Sequence, residues 1–178
     1  HLVDGWRAQG AELSFFAPLR DEAPAADADA IFLPGGYPEL HAGTLAAAGN
    51  FKSGVQARVE AGATVYGECG GYMVLGEGMI DAQGARHEML GLLPLTTSFE
   101  NRKRHLGYRR MTGLSGAFAG IHFHGHEFHY SSVVHEGQAE RLFDASDAAG
   151  VEVGPAGLCR GTVFGSYMHI IDLAGAAL

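Results

Sequence analysis

The chain lacks any apolar run near the roughly 20 residues that a membrane-crossing helix requires. Its start, HLVDGWRAQG, has neither the basic segment nor the apolar core of a secretory signal. These absences make membrane association unexpected and the cytoplasm the default compartment. Cysteine is scarce: Cys69 and Cys159 are the only two, too far apart for a zinc-type pair, and in a reducing compartment they are expected to be free thiols. Basic residues are few as well. Against 20 Asp and Glu stand 12 Lys and Arg, for a formal net charge of −8, which argues against a nucleic-acid surface because phosphate binding needs a basic stripe. Internal repeats, low-complexity linkers and a G-x-x-x-x-G-K-S/T phosphate loop are all missing. What remains is an ordinary globular balance, 47% hydrophobic over 178 residues, enough to bury one core over 1–178. A first residue that is His1 suggests a chain that begins inside a longer gene product.

The pattern of apolar residues suits an α/β fold. Leu2 to Gln9 and Ala46 to Ala61 have the spacing of amphipathic helices. Glu12 to Phe16, Ala30 to Leu33 and Thr64 to Tyr66 are short β-type runs, the first two closed by Pro18 and by Pro34-Gly35-Gly36. Strand and helix alternating at this distance predict a mostly parallel central sheet flanked by helices. After Gly78 the chain turns β-rich, which predicts added antiparallel strands. The segment LCRGTVFGSYMHI is expected to form a last strand and then a loop carrying His169. Trp6, Phe15, Phe16 and Phe32 are spaced as packing residues.

Chemistry concentrates in Gly67-Glu68-Cys69-Gly70-Gly71, a G-x-S-x-G elbow with cysteine in the nucleophile position. The glycines suit a strained strand-to-helix turn, where side chains would collide with neighbouring elements. At the first turn of a helix, free N–H groups favour an anion and should activate the thiol. The plain alternative is a small buried cysteine in a tight turn. Acyl transfer also needs an oxyanion hole, for which Leu33-Pro34-Gly35-Gly36-Tyr37 and the N–H of Gly70 are candidates, and a base, for which His169 is the candidate.

Taken together, GECGGYMVLGEGMID, LPGGYPELHAG, HEMLGLLPL and GHEFHYS resemble the glutaminase domains of the cobyrinic acid a,c-diamide synthase family, in the cobyrinic and cobyric acid synthase branch of the class I glutamine amidotransferases. The motifs run from about Ile31 to Asp172. The resemblance implies a flavodoxin-like amidotransferase domain in which Cys69 attacks the glutamine amide to form a γ-glutamyl thioester and His169 shuttles the proton. It also implies that the N–H groups of Gly36 and Gly70 face the oxyanion. The wider superfamily follows its histidine with H-x-E. Here the chain reads His169-Ile170-Ile171, leaving Glu127 or Asp172 as candidate orienting acids. The resemblance further implies that this domain has no cofactor of its own. An N-terminal ATP-dependent synthetase domain would bind ATP and Mg²⁺ and receive the ammonia, with cobyrinic or hydrogenobyrinic acid as the corrinoid acceptor in cobalamin biosynthesis.

Two other readings compete. His122, His124 and His126 would share one face of a strand, close enough for a metal-binding module; the alternative for them is a hydrogen-bonded polar face near an active site. The chain could also act mainly as a docking module, or as the same glutaminase paired with another acceptor domain, as in cobyric acid synthase or cell-wall precursor amidation. The basic run Arg102 to Arg110 reads as a solvated face or as a surface for a polycarboxylate, and Cys159 as a structural thiol.

Overall fold

Short apolar segments separated by glycine-rich turns set the order of elements. In the computed structural model, which describes residues 2–175, α1 (Leu2–Ala8) lays Trp6 edge-on against Phe32 of β1 (Ala30–Leu33), with ring centroids 5.5 Å apart. Two helices follow, α2 (Ala42–Ala47) and α3 (Gly49–Glu60), then β2 (Thr64–Glu68) and α4 (Gly70–Leu75). The β-rich half contains β3 (Gly78–Ile80), β4 (Arg86–Glu88), β5 (Leu95–Ser98), β6 (His105–Gly113), β7 (His122–His129), β8 (Ser132–Glu136), β9 (Glu140–Asp147), β10 (Glu152–Arg160), β11 (Val163–Ser166) and β12 (Met168–Leu173).

Eight strands form one sheet in the order β1-β2-β11-β10-β9-β6-β7-β12, and β4-β3-β5-β8 form a second. In the larger sheet only β1–β2 and β2–β11 pair in parallel. The parallel part is therefore narrower than the sequence suggests, and the added antiparallel strands make up most of the sheet. Hairpin-type neighbours such as β6 and β7 need no covering crossover helix, so the β-rich half extends the sheet without the βαβ spacing of the first half.

Period-two alternation divides the core. On β2, β10 and β11, Val65, Leu158 and Val163 join one cluster with Phe51, Val55, Tyr72 and Leu93. Their neighbours Tyr66, Cys159 and Phe164 join or pack on the other, with Phe118, Phe123 and Phe143. This places Cys159 as a buried structural thiol. The α4 helix is buried at every position, because it lies on the sheet directly behind the residue that precedes it, Cys69.

Several sequence expectations need correction. Glu12 to Phe16 forms no strand; nothing pairs with the outer edge of β1 among the described residues, and Phe15 is 74% exposed instead of packed. Phe16 does pack, stacking on Phe51 at 6.1 Å. The helix anticipated over Ala46 to Ala61 is broken at Ala48, whose ψ of 78° is not helical. The break is stabilised from a distance: the carboxylate of Asp21 accepts from the Phe51 N–H at 2.9 Å and from the Asn50 side chain at 3.0 Å, satisfying donors in the first turn of α3. His169 lies on β12 itself, paired opposite His126, not in a loop after the last strand.

Phe51 connects these parts, being buried at the start of α3 against the main core and Phe16. Phe51→Ala is expected to cost about 3–5 kcal/mol by the usual scale for aromatic truncation in a core, measured as the shift in a urea unfolding curve.

Candidate active site

β2 runs between β1 and β11, with Gly67 opposite both Leu33 and Gly165 and Glu68 opposite Ser166. The chain then turns sharply at Cys69, which has φ 50° and ψ −101°. This backbone conformation is rare for an L side chain and makes a sharp strand-to-helix elbow. Its N–H donates to the Ser166 carbonyl at 2.8 Å, and its own carbonyl accepts from Met73 at 3.2 Å as α4 begins. The flanking glycines are sterically required. A Cβ on Gly71 would stand 2.6 Å from the Leu33 carbonyl carbon, and one on Gly67 would stand 2.8 Å from the Gly71 carbonyl. Strand, elbow and helix can approach this closely only where side chains are absent.

The imidazole of His169 is held on two sides. Cys69 adjoins it, and on the other side Nδ1 lies 3.1 Å from Oε1 of Glu68. The second oxygen of Glu68 accepts from the Ile170 N–H at 3.1 Å and from the Tyr66 hydroxyl at 3.4 Å. Cys69 first, and Glu68 next, raise the His169 pKa from its ordinary value near 6.5 to about 9, against the opposing effect of burial. The charged form of the ring is thereby favoured. His126 stacks on it face to face, centroids 4.6 Å apart and planes 7° apart. Burial and then the His169 charge lower the His126 pKa.

Gly36 and Gly70 lie close together: a Cβ on Gly70 would stand 2.8 Å from the Gly36 nitrogen. Among the described residues neither N–H has a hydrogen-bond acceptor, so both are free to hold an oxyanion. Gly35 is tighter still, since a Cβ there would lie 2.6 Å from His169 Cε1 and 3.6 Å from the Cys69 Cβ. The thiol faces the Phe128 carbonyl at 3.5 Å.

The two acids proposed from sequence as orienting groups are elsewhere. Glu127 faces the opposite side of β7, where Arg109 at 2.7 Å and His129 at 2.9 Å bind its carboxylate. Burial would raise its pKa, but these two partners hold it at about 2. Asp172 pairs with His124 at 2.9 Å near the sheet edge. The sequence reading missed Glu68, although a charged residue ending a buried strand, directly before the nucleophile, needs a buried partner and so signals one.

His122, His124 and His126 do share a face, yet each has its own partner, Thr112, Asp172 and His169 respectively. Among the described residues the group near enough to share an ion is His105, Glu127 and His129, where Arg109 already neutralises the carboxylate. The basic run is divided: Arg102 to Arg104 are exposed, while Arg109 is tied to Glu127.

The fold matches that of known amidotransferases. A solved structure described as a glutamine amidotransferase superimposes with a TM-score of 0.61 over 93% of this chain and 82% of its own, at 19% identity. PurLQS from Thermotoga maritima does so with 0.57 over 84% and 71%, at 21% identity. Within that class, the chain belongs to the CobB/CobQ-like glutamine amidotransferase domain family, whose pattern covers residues 3–177. It is 62% identical over 177 residues to a hydrogenobyrinate a,c-diamide synthase of Sinorhizobium sp, covering 99% of this chain and 41% of that protein. The proteins of the same description from Brucella anthropi and Rhodobacter capsulatus are 59% and 49% identical, covering 98% and 96% of this chain and 40% of each relative. The chain thus spans about two-fifths of the length of these curated relatives. No described helix is long and apolar enough to cross a membrane.

A raised His169 pKa has a defined sign. Its stabilising contribution is fully present below the unfolded value near 6.5 and is lost as pH rises through about 9. The His169 ring protons should therefore titrate by NMR near pH 9, and Glu68→Gln should move that midpoint down. The stability gap between the two proteins in urea should narrow above pH 9. A midpoint near 6.5 in the parent would contradict the geometry.

Proposed function

We propose that the chain is a single glutaminase domain over 1–178 that releases ammonia from glutamine through a covalent intermediate on Cys69, with His169 as acid and base, Glu68 as the positioning residue and the N–H groups of Gly36 and Gly70 as the oxyanion hole. The observation that carries this reading is the convergence of the four parts. The elbow presents a thiol to an imidazole held by a buried carboxylate, beside two unengaged N–H groups.

The thiolate attacks the side-chain amide carbon of glutamine, and negative charge moves to the amide oxygen, where the two N–H groups stabilise it. Collapse of this intermediate breaks the C–N bond. His169 gives its proton to the departing nitrogen, which leaves as ammonia, and a γ-glutamyl thioester remains on Cys69. Neutral His169 then takes a proton from water as the water attacks the thioester. Collapse returns the thiolate, the protonated imidazole and the γ-carboxylic acid, which loses its proton to solvent to give glutamate. Glu68 stabilises the charged ring and fixes its plane without itself being protonated, the role of the acid in a Ser-His-Asp triad.

The relatives' names extend the reading to the acceptor. Ammonia would pass to an ATP-dependent synthetase portion that uses ATP and Mg²⁺ to amidate the a and c carboxylates of hydrogenobyrinic or cobyrinic acid in cobalamin synthesis. The supporting observation is identity of up to 62% to synthases so described, which favours this acceptor over those of cobyric acid synthase or cell-wall amidation.

Cys69→Ser is expected to lower glutamine hydrolysis by at least 10³-fold, measured as glutamate release. Cys159→Ser, buried in the second core cluster, should keep turnover within a few-fold of the parent. Unchanged hydrolysis in Cys69→Ser would exclude the proposal.

A further inference from the structure

The face of the large sheet that carries His169 continues well past the active site without a cover. Cross-strand register puts Leu106 beside Phe128, then Tyr108 beside His126 and His169, then Arg110 beside His124. Side chains directly opposite in a ladder project to the same side. Leu106 is 60% and Tyr108 69% exposed, and Phe128 and Tyr130, which meet edge to face at 5.6 Å, are 38% and 39% exposed. Four large apolar side chains thus lie together in solvent beside the nucleophile, whose thiol faces the Phe128 carbonyl. Farther along, the face becomes a groove of about 490 Å³ of mixed lining, with Arg110, His122, His124 and Asp144 beside Met111 and Phe123. The outer edge of β12, which carries His169, has no strand partner among the described residues, and Ile171 at its bulge is exposed. An apolar centre with a polar margin and an open strand edge is the composition of a protein interface.

We infer that this β6–β7–β12 face seats the ATP-dependent portion of the synthase, which closes over His169. The inference rests on the glutaminase reading and adds to it the place of contact. The occupant follows from three observations. The chain spans only 41% of a relative to which it is 62% identical, so a further piece of domain size exists in that protein. Ammonia has to reach its acceptor before solvent protonates and dilutes it, which requires the acceptor domain to adjoin Cys69. The other approaches to Cys69 are taken: β1 and α4 pack against the elbow through Leu33 and Gly71, and the Gly35–Tyr37 turn is needed for the oxyanion and for glutamine. The side bordered by Phe128, Tyr108 and His169 is what is left.

The test uses Leu106→Glu combined with Tyr108→Glu in this chain joined to the rest of the synthase. Because both side chains project into solvent, the pair should fold. Leu106→Ser with Tyr108→Ser is a milder form, to be used if the melting temperature falls. Glutamine hydrolysis, glutamine-dependent amidation and ammonium-dependent amidation of hydrogenobyrinic acid are measured side by side. The expected result is unchanged ammonium-dependent amidation, continued glutamine hydrolysis, and a tenfold or greater drop in amide formed per glutamine hydrolysed. An unaltered ratio would overturn the docking face while leaving the glutaminase reading intact. Glutamine hydrolysis that persists in Cys69→Ser would sink both. Sedimentation of the parent chain alone as a dimer that the double substitution dissociates would assign the face to a second copy of this chain and overturn the proposal.

Discussion

Cys69 is held at a positive φ of 50°, a conformation that costs an ordinary residue on the order of 1–3 kcal/mol, and the surrounding structure exists in a form that keeps it there. Three contacts enforce the turn. The Cys69 N–H is bound to Ser166 on β11, the Gly71 N–H to the Pro34 carbonyl at 3.1 Å after β1, and the Cys69 carbonyl to α4. Each comes from a different element, so the strain is spread over the parallel core and cannot be relieved by one local shift. The fully buried α4 behind the elbow has no freedom to swing away. In return the sulfur is presented at the end of the strand, beside N–H groups that have no acceptor among the described residues.

The same compression creates the electrostatics. Gly35 leaves room for the His169 ring to lie close to the Cys69 side chain, and Glu68, the last residue of β2, reaches the ring from below. A carboxylate placed one residue before Cys69 is positioned by the register that positions Cys69, so the two cannot drift apart. Glu68 also binds the Ile170 N–H, which ties β12 to β2 across the end of the sheet. The His126 ring, whose pKa is lowered by burial and then by the His169 charge, stacks on the His169 ring. On the proposed mechanism this arrangement keeps the proton where ammonia departs.

Much of this was legible in the residues. Glycine two before and two after Cys69 announces the elbow because the close approach of Leu33 to Gly71 tolerates nothing larger, whereas Gly36 was singled out from the Leu33 to Tyr37 segment only by the family resemblance. The orienting acid was not legible as an H-x-E spacing, because the partner of His169 lies 101 residues away on another strand. Glu127 and Asp172 attracted attention by closeness to the histidines in sequence. In the fold, alternation turns Glu127 to the opposite face, and the bulge between Ile170 and Asp172 pairs Asp172 with His124. Glu12 to Phe16 carries a strand's apolar pattern but has no neighbour to complete its hydrogen bonds, and pairing is a property that no single segment encodes. The extent of the antiparallel half depended likewise on which hairpins joined the parallel core.

The claim that everything else supports is a covalent bond to Cys69. Rapid acid quench during glutamine turnover, followed by mass spectrometry of the peptide that contains Cys69, tests it most directly. The account predicts a γ-glutamyl adduct on Cys69, absent from the Cys159 peptide, that disappears as glutamine is exhausted. Sustained glutamate release with no adduct on Cys69 at any quench time, in a protein whose hydrolysis survives Cys69→Ser, would contradict it.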